Sequence, residues 1–422
     1  MINKLKSRAY DFLRWSQKYT GTDNVYLAKG GSWLTLGQVI SASASFLLAV
    51  AFANLIDPTT YGNYKYILSL IGILGIFSLP GIETAIIQAT ARNLEGSFYT
   101  GFKTKLKWSL LGSLAAIGGA VYYWLQGNDT LPIPLLISAI FLPLTQASQV
   151  YTSFLTGKKL FNIKVKYSSF SQIISVIAMI ATLFLTKNLF WLIAVHFVSY
   201  TFLNFFFYWL TQKKFQPNKK DDPQTLSYGK HLSLMDVTGQ IATYLDRILI
   251  FHYLGTIPLA IYQFAITPPE QIKGLLKNIP LLALPKLTTR SKEEINRVLY
   301  KRIFQSLLIG GIMTLTYILI APFFYKIFFP KYLDSIFFSQ LFAITIILRA
   351  VSYLIGSAFQ AKKLVKAQYI GTISSYSLLI FLLLLLGNLW GIIGIIIAKI
   401  LFLLFSIIIS IILWRKEILR TF

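Results

Sequence analysis

Residues 389–413 read LWGIIGIIIAKILFLLFSIIISIIL, and Lys399 is the single charged residue among them. A segment of this length exceeds the ~20 apolar residues that cross the ~30 Å hydrocarbon core of a bilayer. Inside that core every backbone N–H and C=O has to be bonded within the chain, which a helix achieves. The segment therefore predicts a transmembrane helix.

Eleven further apolar runs precede this segment, and the chain as a whole is 55% hydrophobic and 13% charged. A soluble domain carries about 25% charged residues. The composition therefore predicts an all-α integral membrane protein with twelve transmembrane helices. The predicted spans are Trp33–Leu55, Tyr66–Ala91, Trp108–Leu125, Pro132–Thr156, Tyr167–Thr186, Leu189–Leu210, His231–Leu254, Ile257–Pro285, Ile303–Phe329, Tyr332–Gly356, Gln368–Gly387 and Leu389–Leu413.

Lysine and arginine are concentrated in every second loop, and this pattern predicts the orientation of the chain in the membrane. With the N-terminus inside, 31 of the 40 basic residues fall in inner segments, and five lie within spans. Basic residues concentrate on the cytoplasmic side of membrane proteins. We therefore predict a multi-pass protein of the bacterial cytoplasmic membrane with both termini in the cytoplasm. The outer loops hold only Lys65, Lys187, Lys326 and Lys331.

An internal repeat predicts two related halves. At a shift of 198 residues Arg92 meets Arg290 and Gly112 meets Gly310, and residues 157–160 meet 361–364 at a shift of 204. Six spans per half place both halves in the same direction, which is typical of transporters with a central site. We predict two pseudo-symmetric six-helix bundles around a central cavity. The boundaries are an interfacial segment 1–29, bundles 30–211 and 231–414, a linker 212–230 and a tail 415–422.

Five basic residues lie inside the predicted spans, and all of them belong to the second half. A charge at the bilayer centre costs at least ~2.5–3.5 kcal/mol, so such groups normally face a cavity or a partner. We therefore predict a cationic cavity that binds an anionic substrate, for which phosphate and pyrophosphate groups suit lysine and arginine donors. The candidate residues are Arg247, Lys273, Lys277, Arg349 and Lys399.

Polar and acidic residues complete the predicted cavity. The stripe along span 7 is Asp236, Gln240, Thr243 and Arg247, and Gln38 lies on a polar face of span 1. The candidates for ion coupling or counter-charge are Glu83, Asp246 and Glu270. Structural readings stay open beside these: Glu270 can pair with Lys273, Arg349 can extend to the membrane surface, and Glu83 can pair with a lysine.

Several chemistries lack a sequence signature. There is no Gly-x-x-x-x-Gly-Lys-Ser/Thr loop for a nucleotide phosphate, and three histidines without any cysteine leave no plausible zinc set. We expect no cofactor and no catalytic residues. The net charge of +25 would favour nucleic acid in a soluble protein, but here the basic residues flank membrane spans, so no nucleic acid partner is expected.

Three stretches carry a family resemblance. Lys29-Gly30-Gly31-Ser32-Trp33 leads into span 1, and Phe52–Tyr64 ends an apolar helix before a Pro-x-x-Tyr-Gly turn. The turn Gly157-Lys158-Lys159 follows span 4. With twelve spans in two halves, the chain resembles the Wzx-type polysaccharide flippases of the multidrug/oligosaccharidyl-lipid/polysaccharide exporter superfamily.

The resemblance implies a flippase for undecaprenyl-pyrophosphate-linked oligosaccharide repeat units of surface polysaccharides such as the O-antigen. It implies membrane lipids, a polymerase and a chain-length regulator as partners, with H⁺ or Na⁺ as candidate coupling ions. Two alternatives stay open. An ion-coupled multidrug antiporter has the same architecture, although Trp33–Leu55 lacks the acidic residue that many such exporters use. A membrane enzyme acting on lipid-linked sugars is the other alternative.

Overall fold

The computed structural model describes residues 24–276, 292–362 and 364–419, and these ranges contain helices and no strand. Residues 1–23 of the predicted interfacial segment 1–29 lie outside the described residues. The helices are α1 (Asn24–Leu55), α2 (Pro58–Leu74), α3 (Gly81–Ala91), α4 (Ser97–Leu125), α5 (Pro132–Ser148), α6 (Val150–Gly157), α7 (Phe161–Leu185), α8 (Leu189–Phe215), α9 (Pro223–Leu254), α10 (Thr256–Leu276), α11 (Lys292–Phe328), α12 (Ser335–Ala361) and α13 (Val365–Leu419), with short 3₁₀ helices at Gly75–Ser78 and Pro330–Tyr332.

Eight helices of the described part are long and apolar enough to cross a membrane, or nine if the bent pair α2–α3 counts as one span. Many of their large apolar side chains are exposed, among them Ile140 and Leu185, as lipid-facing residues are. This is a multi-pass membrane protein. The predicted spans 11 and 12 lie in α13, which is broken at Gly391, where a φ of 55° suits glycine. The total of twelve spans stays a prediction.

The span made of α2 and α3 is bent by 49°. Leu79 adopts a left-handed conformation with a φ of 55°, and Pro80 follows it. A proline has no N–H to continue the helical ladder, so a break at this point has a local cause. The break places Glu83 in the first turn of α3.

The turn before α2 explains the Pro-x-x-Tyr-Gly motif. Asp57 caps α2 by accepting from the backbone N–H of Thr60 at 2.7 Å, and Pro58 occupies the first turn. A side-chain carbon at Gly62 would overlap the backbone carbonyl of Thr256, so glycine allows α2 and α10 to approach closely. The motif is therefore a cap followed by a close helix contact.

The described chain forms two compact units. The first, unit A, runs from Val39 to Gln263 and includes Ile327–Tyr332. Its core lies around the stacked rings of Phe98 and Tyr208, whose centroids are 4.7 Å apart. Unit B contains the chain up to Gln38, Phe264–Lys326 and the chain from Leu333, with a core around Phe359 and Trp414. The predicted bundles 30–211 and 231–414 stay a prediction.

The predicted linker 212–230 is largely helical in the structure, which leaves residues 216–222 as the connection between α8 and α9. Asp222 caps α9 and Pro223 starts it, so the helix begins earlier than the apolar run suggested. In the predicted tail 415–422, α13 continues to Leu419.

The pair Gly112 and Gly310, which the repeat matched, occupies similar environments. A side-chain carbon at Gly112 would lie 2.8 Å from the carbonyl oxygen of Leu74, and one at Gly310 would lie 2.9 Å from the Cα of Ile347. Each glycine therefore allows close packing of two helices within its own unit, which gives the sequence match a structural reason.

Candidate functional site

The buried lysine of α10 is one centre of the site. Lys273 is 4% exposed, and its ammonium donates to Glu270 at 2.5 Å, one helical turn earlier. Glu270 itself is exposed. The structural reading of these two residues as a local ion pair is therefore confirmed, and Lys277, the other lysine predicted for this face, lies outside the described residues.

A phenylalanine ring joins two of the predicted cations. The Lys273 Nζ lies 4.2 Å from the centroid of the Phe342 ring, and the Lys399 Nζ lies 5.7 Å from the same centroid. The face of an aromatic ring carries partial negative charge and attracts cations. α10, α12 and α13 thus bring two ammonium groups onto one ring.

The third cation, Arg349, extends the group. Its guanidinium lies 5.9 Å from the ring of Phe402, which stacks on Tyr376 at 5.3 Å. The positive charges of Arg349 and Lys399 both act on Lys273. Gln38 also lies beside this group, since its amide nitrogen would be 3.3 Å from a side-chain carbon at Gly274.

These residues of unit B form what we call the basic cluster: Lys273, Arg349, Lys399 and Glu270. Three cations face one carboxylate, so the cluster has a formal charge of +2. Phe342 and Arg349 are seven residues apart, two turns along α12, and Lys399 and Phe402 are one turn apart on α13. The sequence did not predict these two rings, although each lies at helical spacing from a cation.

The predicted polar stripe of α9 belongs to unit A and is partly satisfied within its own helix. Gln240 donates to Asp236 at 3.1 Å, and the hydroxyl of Thr243 donates to the carbonyl of Gly239. Asp236 and Thr243 are exposed. Such side chains can line a polar surface without a change of structure.

Arg247 is the last residue of this stripe, and a lysine of α2 lies near it. Its guanidinium lies 5.5 Å from the ring of Tyr244, and its buried Nε has no hydrogen-bond partner among the described residues. Lys65 lies over the rings of Tyr61 and Tyr64, at 5.3 and 5.8 Å. The sequence predicted Lys65 in an outer loop; the structure instead places it in α2, which begins at Pro58.

Asp246 is fully buried. Its carboxylate accepts from the Tyr262 hydroxyl at 2.6 Å and from the backbone N–H of Arg247 at 2.8 Å. Hydrogen bonds to a carboxylate stabilise its charged form and compensate for burial. Asp246 therefore holds α9 and α10 together within unit A.

Glu83 forms an ion pair with Lys105, whose side chain is completely buried. Lys164 lies near enough to feel the charge of Glu83 and donates to the hydroxyl of Thr156 at 2.9 Å. The sequence placed Lys105 in an inner segment, whereas the structure places it in α4. Glu83 therefore has a counter-charge, and its role in ion coupling stays a proposal.

No group of three histidine, aspartate or glutamate side chains in the described ranges is arranged to hold a metal ion. Most of the basic side chains named above form ion pairs with carboxylates or lie over aromatic rings.

A family model described as "Polysaccharide biosynthesis protein" matches residues 27–284. The chain belongs to the polysaccharide biosynthesis protein family. The family predicted from the Lys29–Trp33 and Phe52–Tyr64 stretches is thereby confirmed. No curated protein sequence matches the chain.

Solved structures share the fold of this family member. A lipid II flippase MurJ in an inward-closed conformation has a TM-score of 0.68 and 15% identity, covering 90% of this chain and 86% of that one. An inward-facing multidrug resistance MATE transporter has a TM-score of 0.64 and 12% identity, covering 91% and 94%. A MOP superfamily transporter from Pyrococcus furiosus Vc1 has a TM-score of 0.59 and 14% identity, covering 93% and 96%.

Proposed function

We propose that this protein is a flippase for undecaprenyl-pyrophosphate-linked oligosaccharide repeat units. It moves them from the inner to the outer leaflet of the bacterial cytoplasmic membrane for the synthesis of a surface polysaccharide, such as an O-antigen. The transport proceeds by alternating access, in which the substrate site opens to one side of the membrane at a time. Both termini lie in the cytoplasm in this proposal.

The basic cluster is the observation that carries the proposal. Lys273, Arg349 and Lys399 lie on helices that are otherwise rich in apolar residues, and the cluster keeps an excess of two positive charges. A pyrophosphate brings negative charge and acceptor oxygens, which suit ammonium and guanidinium donors. Membership of a polysaccharide biosynthesis family fits the same substrate class.

Energy coupling and partners are further parts of the proposal. Glu83 is the candidate for proton or sodium coupling. It lies beside a helix break, so binding of an ion at its carboxylate can be coupled to a change in the angle between α2 and α3. A polymerase and a chain-length regulator of the same pathway would use the product at the outer leaflet. No catalytic residue and no cofactor have a part in this cycle.

A deletion strain tests the proposal in cells. We expect it to lack the surface polysaccharide and to accumulate complete lipid-linked repeat units on the inner leaflet. A plasmid copy should restore export, and a copy carrying Arg349→Gln and Lys399→Gln should not. Incomplete repeat units in the deletion strain would support the other reading, a membrane enzyme acting on lipid-linked sugars, since a flippase forms no covalent bond.

The fold shared with MATE transporters keeps one other candidate, an ion-coupled multidrug antiporter. Overexpression would then raise resistance to cationic drugs and leave the glycan unchanged. A cationic cluster disfavours cationic drugs, so we expect no change in resistance.

A further inference from the structure

The turn between α11 and α12 is packed on α1. Residues 327–332 belong to unit A, whereas the chain on both sides of them belongs to unit B. Phe329 and Tyr332 are almost completely buried, at 0% and 1% exposure. A loop at a membrane surface normally lies open to solvent, so this turn has a specific docking place.

Hydrogen bonds fix the turn to the end of α1 in both directions. The side-chain amide of Asn54 donates to the carbonyl oxygen of Phe328 at 3.1 Å. The ammonium of Lys331 donates to the carbonyl oxygen of Asn54 at 2.8 Å. The last turn of a helix has free carbonyls, and a lysine is well suited to bind them.

Aromatic contacts add to these bonds. The ring of Phe46 on α1 meets Phe328 edge to face at 5.1 Å and Phe329 at 6.3 Å. Tyr332 lies close enough to Tyr61 for the two side chains to interact electrostatically. These contacts lie within a short stretch of chain, residues 328–332, so they can form and break together.

We propose that the 327–332 turn is a strap, which is docked on α1 within unit A and is released during each transport cycle. The inference rests on the proposed function, because release is needed only if the site opens to the outside. The polar bonds join groups at the surface, where water can replace them on release.

A reversible cross-link tests whether release is needed. The chain contains no cysteine, so Asn54→Cys with Lys331→Cys introduces the only two thiols. A short bifunctional methanethiosulfonate would join them. We expect the joined protein to move a lipid-linked oligosaccharide in liposomes at least ~10-fold more slowly than the same protein after reduction. Equal rates before and after reduction would overturn the strap.

Labelling tests release without reference to the substrate. In Phe329→Cys the thiol is buried while the strap is docked, so a membrane-impermeant maleimide added outside cells reports undocking. Asn54→Ala removes the side-chain amide that donates to Phe328 in the strap and to Val50 within α1, without a change of charge. We expect labelling to become about five-fold faster. Leu333→Cys, at an exposed position just after the strap, is the matched control and should label equally in both backgrounds.

The two tests separate the strap from the proposed function. Should the reduced protein move no lipid-linked oligosaccharide, the proposed function fails, and the labelling result still decides the strap. Labelling of the Phe329→Cys protein that Asn54→Ala does not accelerate would contradict the strap even in a protein that transports.

Discussion

Lys105 on α4 and Glu83 on α3 form an ion pair in which the lysine side chain is fully buried and the glutamate is 34% exposed. Removing one member of a buried ion pair leaves the other charge without compensation and costs about 3–5 kcal/mol, whereas replacing both by apolar groups is often neutral. The two members here are unequal, because Glu83 keeps partial exposure and the nearby charge of Lys164.

We therefore expect Glu83→Gln to destabilise the protein by about 3 kcal/mol, and Lys105→Met to destabilise it less. The double variant should recover most of the loss. Thermal unfolding of the purified protein in detergent gives the comparison. Additive losses in the double variant would show that the pair is not coupled, and equal losses in the two single variants would contradict the inequality of its members.

The shared ring of Phe342 predicts a second effect. Phe342→Leu keeps the apolar volume but removes the ring face that holds two lysines, and cation–π contacts contribute about 0.5–2 kcal/mol. We expect export to fall about five-fold at unchanged protein level. Phe337→Leu on the same helix is the control, since Phe337 is 59% exposed and should tolerate the change. Equal export by both variants would show that the Phe342 ring has no part in the site.

Gly62 predicts a steric effect on the turn of the family motif. In a helix, alanine is favoured over glycine by about 1 kcal/mol, but a side-chain carbon at Gly62 would overlap the carbonyl of Thr256. We expect Gly62→Ala to lower stability by about 1–3 kcal/mol, the range for overpacking. Gly118→Ala in α4 meets no atom within 4 Å and should not destabilise. A stable Gly62→Ala protein would contradict the close approach of α2 and α10.

Asp222 predicts a distinction between two substitutions at the start of α9. The backbone N–H of Gln224 and the Arg92 guanidinium at 2.7 Å lower the pKa of this carboxyl. Asparagine is as good an N-cap as aspartate, whereas alanine is not. We expect Asp222→Ala to lower the unfolding temperature more than Asp222→Asn does.

The pH dependence follows from the same lowered pKa. Stabilisation by the Asp222 carboxylate is complete above its unfolded pKa, about 3.9, and is lost as the pH falls through the lower folded pKa. The difference between wild type and Asp222→Asn should therefore be constant from about pH 5 to 8 and shrink only below about pH 4. A change near neutral pH would point to another group.

The sequence predicted the membrane class and the family, because each depends on hydropathy or on short motifs. Arg349 and Lys399 lie in helices that are apolar enough to cross a membrane, whereas the placement of Lys273 inside a span stays a prediction. The sequence did not predict Phe342 and Phe402 as the rings beside those cations. With 33 phenylalanines in the chain, a ring at helical spacing carries little information until the helices are packed. Helix starts were also uncertain, since α2 and α4 begin with polar turns that hydropathy does not detect.

The sequence also did not predict which side chains pair between helices. Lys105 and Lys65 were placed in polar segments by position along the chain, and the structure instead gives them a carboxylate and two tyrosine rings. Such contacts depend on which helix faces meet. For the same reason Glu83 could be named as an intramembrane acid before its partner could.

A leaflet assay tests the central claim most directly. The purified protein is reconstituted in liposomes with an undecaprenyl-pyrophosphate oligosaccharide, and the fraction open to an external glycosidase is followed over time. We predict that this fraction rises with wild type and with Lys326→Gln, which removes an exposed cation, and stays at the protein-free level with Arg349→Gln/Lys399→Gln. An equal rise with the cluster variant, or no rise with wild type under either a proton or a sodium gradient, would contradict the account.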